Sequence, residues 1–300
     1  MIFNFRFAIG SLLLLASLCH VASAETLLRW KFVEGAQWQV AVDQHTETKT
    51  TGAGKPTGID ITMQMRMTWT IDSVDSNGTA QITQRFDRFA VTMKSGAAEP
   101  IAYASDSKTK PTGSAAGIAA AVEPVLGVDF TVTMTDRGAI GDVQLSQAAR
   151  EAFASVESPA LQQLFSTEGI SQLLRQAAVE LPEQAVAEGS RWTAQFATPS
   201  PLGTLKQSRD YTVAAQEEVD GKSLERIVLA GDLVIEGGKP TAKDVKLVGQ
   251  ELVGTMYFDA EAGHLTRFQT TQKLTIERPY REFKIQVATT ANTTTTISDL

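Results

Sequence analysis

Ile61-Thr62-Met63-Gln64-Met65-Arg66-Met67-Thr68-Trp69-Thr70-Ile71-Asp72 is the stretch that decides the fold. Every odd position is apolar and every even position is polar. A helix would scatter that pattern around its circumference, whereas a strand sends alternate side chains to opposite faces. The stretch therefore predicts a strand with one buried face. At ~3.3 Å per residue it would run ~40 Å, far beyond the five or six residues of an ordinary strand, and such length predicts a strongly twisted, curved sheet. Lys49 to Gly58, with three glycines and Pro56, reads as the loop before it, and Val40 to Thr48 as its hairpin partner. Asp75-Ser76-Asn77-Gly78 then turns the chain into a further strand from Thr79 to Met93.

The same themes recur later in the chain. Glu34-Gly35-Ala36-Gln37-Trp38 is answered by Glu188-Gly189-Ser190-Arg191-Trp192, and the strand from Trp69 by Tyr211-Thr212-Val213. Met134 to Ile140, a strand with an acidic glycine turn, is answered by Tyr257 to Leu265. Two copies are too few for a solenoid, so duplication of a β-meander unit is the reading. Between the copies the period changes. Ser114 to Val125 reads as a short alanine-rich helix, and Ser146 to Val179 as the main helical region, with Ser158-Pro159 as a cap and Leu161, Leu164 and Phe165 on one face. Ile170, Leu173, Leu174 and Ala177 repeat that spacing before Leu181-Pro182. Strands resume over Arg191 to Thr198, Thr204 to Ala215, Ser223 to Glu236, Ala242 to Phe258 and Leu265 to Ile276. A last strand around Phe283 to Val287 is expected to decay into a threonine-rich edge or frayed tail from Thr289 to Thr296.

The expected class is mainly β, a β-rich α+β protein: two sequence-related curved antiparallel sheets, or one open barrel made from both, with a helical insert on the concave face. The divisions are a signal peptide at 1–24, a first β repeat at 25–145, a helical connector at 146–185 and a second β repeat at 186–300. Arg6, the apolar run Phe7 to Leu18 and Ala22-Ser23-Ala24 form the order of a cleavable export signal, with the mature chain starting at Glu25. Cys19 follows Leu18 rather than a small residue, which argues against lipid attachment there. Loss of the signal leaves no cysteine, so disulfides, thiolate nucleophiles and cysteine metal sites are excluded. A thiol-free exported chain fits a bacterial periplasmic or secreted route, and no transmembrane segment is expected after cleavage. The whole chain carries a formal net charge of −7 without a basic cluster, which argues against nucleic acid and anionic headgroups as partners.

Few residues suggest chemistry. Met63, Met65 and Met67 on one strand face could be core, the wall of an apolar ligand cavity, or soft ligands for copper(I), with core the first reading. Asp43, His45 and Glu47 also share a strand face, but adjacent positions lie ~6.5–7 Å apart, so a metal site would need ligands from a neighbouring strand. A solvated polar face is the simpler account. Ser73 to Gln84 faintly matches a calcium loop through Asp75, Asn77 and Gly78 but lacks the closing acid, and a hairpin turn accounts for it. Nucleophile elbow, phosphate loop, zinc-protease helix and dinucleotide fingerprint are all missing.

Leu28 to Trp38, Leu181-Pro182 to Trp192 and the Asp259 to Leu265 turn together resemble a family of uncharacterised exported bacterial β-rich proteins, a domain of unknown function. Its motifs are structural, so the resemblance implies no catalytic residues. More loosely, a curved sheet enclosing helices is similar to the periplasmic lipoprotein carriers and lipid-binding lipoproteins, an analogy of fold alone. The expected function is non-catalytic, with no cofactor and no metal: an exported envelope protein holding an apolar small molecule, a lipid or an envelope partner. Its lining would be Met63, Met65, Met67, Trp69, Leu164, Phe165 and Leu174. The alternatives are a scaffolding protein with a dry core, and a hydrolase whose polar cleft would hold His45 or His264 beside carboxylates.

Overall fold

A computed structural model describes residues 25–300 except 53, 55, 157–165, 178, 201–202, 237–244 and 281–282. The proposed signal, and with it the 1–24 boundary, lies outside the described residues. The alternating stretch forms β2 (Thr57–Val74), paired antiparallel with β1 (Gln37–Thr51) and β3 (Ala80–Ser95). The chain continues through β4 (Ile101–Ala104), α1 (Ser114–Val122), a 3₁₀ turn (Glu123–Val125), β5 (Asp129–Met134) and β6 (Ile140–Leu145). Two helices follow, α2 (Gln147–Ala154) and α3 (Thr167–Ala177). The second half is β7 (Arg191–Ser200), β8 (Gly203–Val213), β9 (Glu217–Val219), β10 (Lys222–Glu236), β11 (Lys246–Asp259), β12 (His264–Tyr280) and β13 (Phe283–Asp299).

The two halves form one antiparallel sheet, not closed into a barrel, in the order β6-β5-β3-β2-β1-β13-β12-β11-β10-β8-β7. The seam is the pairing of the first strand with the last, from Trp38 opposite Asp299 to Thr51 opposite Gln286. This corrects the expectation for Thr289 to Thr296. That tract is the middle of β13, hydrogen-bonded to β1 on one side and β12 on the other. β-branched threonine suits such a position, but no local signal distinguishes a central threonine strand from an edge. In both halves the opening tryptophan faces an aromatic one strand on: Trp38 opposite Trp69, and Trp192 opposite Tyr211.

One backbone segment reveals the curvature. The Trp30 N–H donates to the carbonyl of Asp136 in the β5–β6 turn (2.7 Å), and the next N–H, from Lys31, to that of Gly263 in the β11–β12 turn (2.8 Å). β5 and β12 are five strand steps apart, about 24 Å in a flat sheet at ~4.8 Å per strand, whereas consecutive residues are ~3.8 Å apart. The sheet must therefore wrap round until these turns nearly meet. Both turns carry a glycine against the segment: a Cβ on Gly138 would lie 2.5 Å from the Val179 carbonyl and 2.9 Å from Trp30 Nε1, and one on Gly263 2.3 Å from Lys31 Cγ. Arg29 and Arg137 complete the closure, donating to the carbonyls of Pro182 (2.7 Å) and Leu181 (2.8 Å).

Behind this closure lies a contiguous apolar core. Leu28, Trp30, Trp38, Ile71, Ile82, Phe130, Tyr211, Ile227, Met256 and Phe258 are all buried, with Trp30, Phe32 and Trp38 in mutual ring contact at 5.8–6.0 Å. The connector helices pack at the β5–β6 side of this core, through Ala149 and Phe153 of α2 and Ile170 of α3. α2 starts at a cap as its sequence dictates, Ser146 Oγ accepting from the Ala149 N–H (3.0 Å). The helix lying over the inner face further along is α1, whose Ala119 packs with Val91 and Tyr103. The molecule is thus a cup, sealed at the end of Trp38 and Ile71 and opening toward the β1–β2 and β12–β13 turns.

Candidate functional site

The strand registers define the inner face of the cup. Across β1, β2, β3 and β4 its rows are Trp38-Trp69-Gln84, Val42-Met65-Phe89 and Gln44-Met63-Val91-Tyr103. On β13 it carries Val287, Thr289, Ala291, Thr293, Thr295 and Ile297, and on β12 Phe268, Thr270, Gln272, Leu274 and Ile276. No residue of these rows bears a charge. Charged residues of the inner parity fall only at strand ends, Arg278 on β12 and Asp299 on β13, while the others of these strands point the other way, where Asp43 meets Gln64 (3.0 Å) and Arg66 (3.4 Å), and Arg88 meets Asp106 (2.7 Å).

Burial falls along this face. Ile71 is 0% exposed and Met67 5%, whereas Met65, Met63 and Ile61 are half-buried. Met65 and Trp69 rest against the main core, and Ile61, Phe89 and Met93 against the small cluster under α1. Of the sequence-expected lining, Met63, Met65, Met67 and Trp69 therefore share one uncharged wall, with Met67 already within the dry core. Leu174 is half-buried against the core through α3, away from that wall. Leu164 and Phe165 lie outside the described residues.

The polar atoms among this apolar surface gave no signal in the sequence. Gln84 is 1% exposed, and among the described residues neither its Oε1 nor its Nε2 has a hydrogen-bond partner. Trp69 Nε1, on its cross-strand neighbour, is likewise buried and unpartnered, as is the Tyr103 hydroxyl. Burial, reinforced by the nearby Glu123 carboxylate, pushes the Tyr103 phenol up, so it stays a neutral hydroxyl. An unpaired buried polar group costs ~1–3 kcal/mol, so such atoms are a substantial cost to the fold. The period-two pattern announced Trp69 as a face residue, but Gln84 reads there as one more polar position on a strand.

The other groups singled out in the sequence fall elsewhere in the sheet. His264 is buried against the Trp38 ring (5.4 Å between centroids), its Nδ1 3.0 Å from the Leu265 carbonyl. Its register partner Asp259 is occupied by its own turn, Oδ1 accepting from the Glu261 (3.1 Å) and Ala262 (2.8 Å) N–H groups and Oδ2 meeting Lys222 (3.2 Å). Burial raises the Asp259 pKa, but those donors outweigh it and hold the carboxyl below the usual range. Asp75 similarly accepts from the N–H groups of Asn77 and Thr79 (both 2.8 Å), as a hairpin turn requires. His45 and Glu47 lie on the outer face with Asp43. A separate pocket bounded by Thr26, Val186, Ala187, Ala214 and Glu225 holds about 120 Å³, below the ~300 Å³ of the smaller ligand sites.

The model of a family of unknown function, DUF6263, matches residues 77–220, a little under half of the chain. That span contains the Leu181 to Trp192 passage but neither Leu28 to Trp38 nor the Asp259 turn. No curated protein matches the chain. Among solved structures, lipovitellin, in a study of its lipid–protein interactions, superposes with a TM-score of 0.52 at 12% identity over 89% of this chain. The chain spans only 25% of the lipovitellin chain, and the likeness is one of fold. A protein of YmcC-like fold from Bacteroides fragilis NCTC 9343 aligns at 9% identity over 87% of this chain and 96% of its own, with a TM-score of 0.23. A DUF1329 family protein from Desulfovibrio piger ATCC 29098 aligns at 13% identity over 83% of each chain, with a TM-score of 0.18.

Proposed function

We propose that this is an exported, non-catalytic envelope protein that holds a neutral amphipathic molecule of lipid type on the inner face of its cup. One observation carries the reading: a half-exposed, uncharged wall over Met63, Met65 and Phe89 that ends, at its buried side, in the unpartnered polar atoms of Trp69 and Gln84. Methylene chains would lie on Met63, Met65 and Phe89, where thioethers adapt to irregular apolar shapes. An ester, amide or hydroxyl would answer the Trp69 N–H and the Gln84 amide. A free carboxylate suits this wall less, since Met63, Met65, Trp69, Gln84 and Phe89 include no cation to offset its desolvation. The lipovitellin likeness supports a lipid reading at the level of fold, and the leader-like first 24 residues support export.

The test is binding by delipidated protein of a fluorescent monoacylglycerol analogue and of a fluorescent fatty acid. The glycerol ester should bind more tightly than the acid, and Met65→Trp should block it with little loss of stability because Met65 borders open space. If neither probe binds, and native mass spectrometry of protein from its own host shows no adduct, the scaffolding alternative stands.

A further inference from the structure

The outer face carries a group of side chains that neither the packing nor the proposed lipid site uses. The β1–β2 register sets Glu47 directly opposite Asp60, and places His45 one step along the same face, opposite Thr62. His45 Nε2 lies 3.2 Å from Glu47 Oε1 and 3.5 Å from Asp60 Oδ2. One donor atom from each of the three residues falls within 4.8 Å of the others. Like charges directly opposed on paired strands destabilise the pair unless something compensates them. Lys94 is the β3 register partner of Asp60, but among the described residues the only basic side chain within ion-pair distance of Asp60 is the His45 ring.

We propose that His45, Glu47 and Asp60 form a surface site for a divalent transition cation, zinc being the best fit. Four ligands at ~2.0–2.1 Å around tetrahedral zinc stand about 3.3 Å from one another, and the two nitrogen–oxygen separations already match that edge. The imidazole is oriented for it: Nδ1 lies 3.4 Å from Thr62 Oγ1, and in the tautomer that donates there Nε2 presents its lone pair to both carboxylates. Two carboxylate oxygens beside that nitrogen favour a positive charge at the site, which a proton on Nε2 or a bound cation provides. A metal ion supplies it through one nitrogen and two oxygen bonds, leaving the fourth position to water. Calcium or magnesium would prefer an all-oxygen set. Asp43, on the same face, is held by Gln64 and Arg66 and takes no part.

Titration of metal-free protein with zinc, followed by calorimetry, should show one site per chain. His45→Ala and Asp60→Asn should each abolish it. Thr62→Val should weaken it roughly tenfold, in keeping with loss of a supporting hydrogen bond to a ligating histidine. Asp43→Asn should leave it unchanged. Because all these side chains are at least partly exposed, circular dichroism should show every variant folded. Absence of zinc binding by the parent chain, or equal binding by folded His45→Ala, would overturn the proposal.

Discussion

Replacing Gln84 by methionine tests whether the inner face is kept polar at a cost to the fold. Gln84 is 1% exposed with both amide atoms unpartnered, so the parent chain bears the desolvation of a donor and an acceptor. Methionine has nearly the same length and volume and removes both. With ~1–3 kcal/mol for a buried unsatisfied group, the substitution should stabilise the empty protein by about that amount. At about 2–4 °C per kcal/mol for a chain of this size, the melting temperature should rise by roughly 2–12 °C. Differential scanning calorimetry and urea denaturation would read it, the midpoint moving with an unchanged slope. The same variant should bind the monoacylglycerol probe about two- to tenfold more weakly, the worth of one neutral hydrogen bond. A fall in stability would refute the reasoning, because it would show the amide to be hydrogen-bonded in solution. A stabilised variant with undiminished binding would refute its role as an anchor.

Met67→Ala should cost ~2–5 kcal/mol in urea unfolding because Met67 is 5% exposed, and Met65→Ala distinctly less because Met65 already borders solvent; equal costs would place both in one packed core. Gly138→Ala should destabilise far more than Gly189→Ala, although both have positive φ (89° and 87°), because only at Gly138 would the new Cβ strike a carbonyl and the Trp30 ring; denaturation midpoints decide it. Asp259 has a depressed folded pKa, so its contribution is present above the unfolded carboxylate value near 4 and is lost as pH falls through the folded one. Asp259→Asn should therefore flatten the acid limb of a stability–pH curve measured below about pH 4, while an unchanged limb would show that the turn does not depend on the charge.

The sequence by itself determined the strands and their faces. Period two over Ile61 to Asp72 fixed which side chains of β2 lie inward, and a side-chain period of two admits no intermediate answer. Asp75 in its turn was equally legible, because it acts on backbone within a few residues of itself, whereas the cap expected at Ser158-Pro159 lies outside the described residues. What the tertiary structure decided is everything that depends on which distant strands become neighbours. The threonines of β13 read as a fading tail until β1 was found pairing with them, since a central and an edge strand differ in partners rather than in composition. Asp43, His45 and Glu47 looked like one polar face. The register separated Asp43 toward Arg66 and brought in Asp60 from the adjacent strand, a choice made by hydrogen-bond alignment. Gln84 was an unremarked polar residue until the curvature of the sheet buried it beside Trp69, because whether a polar side chain meets water or a dry wall is set by how far the sheet bends around it.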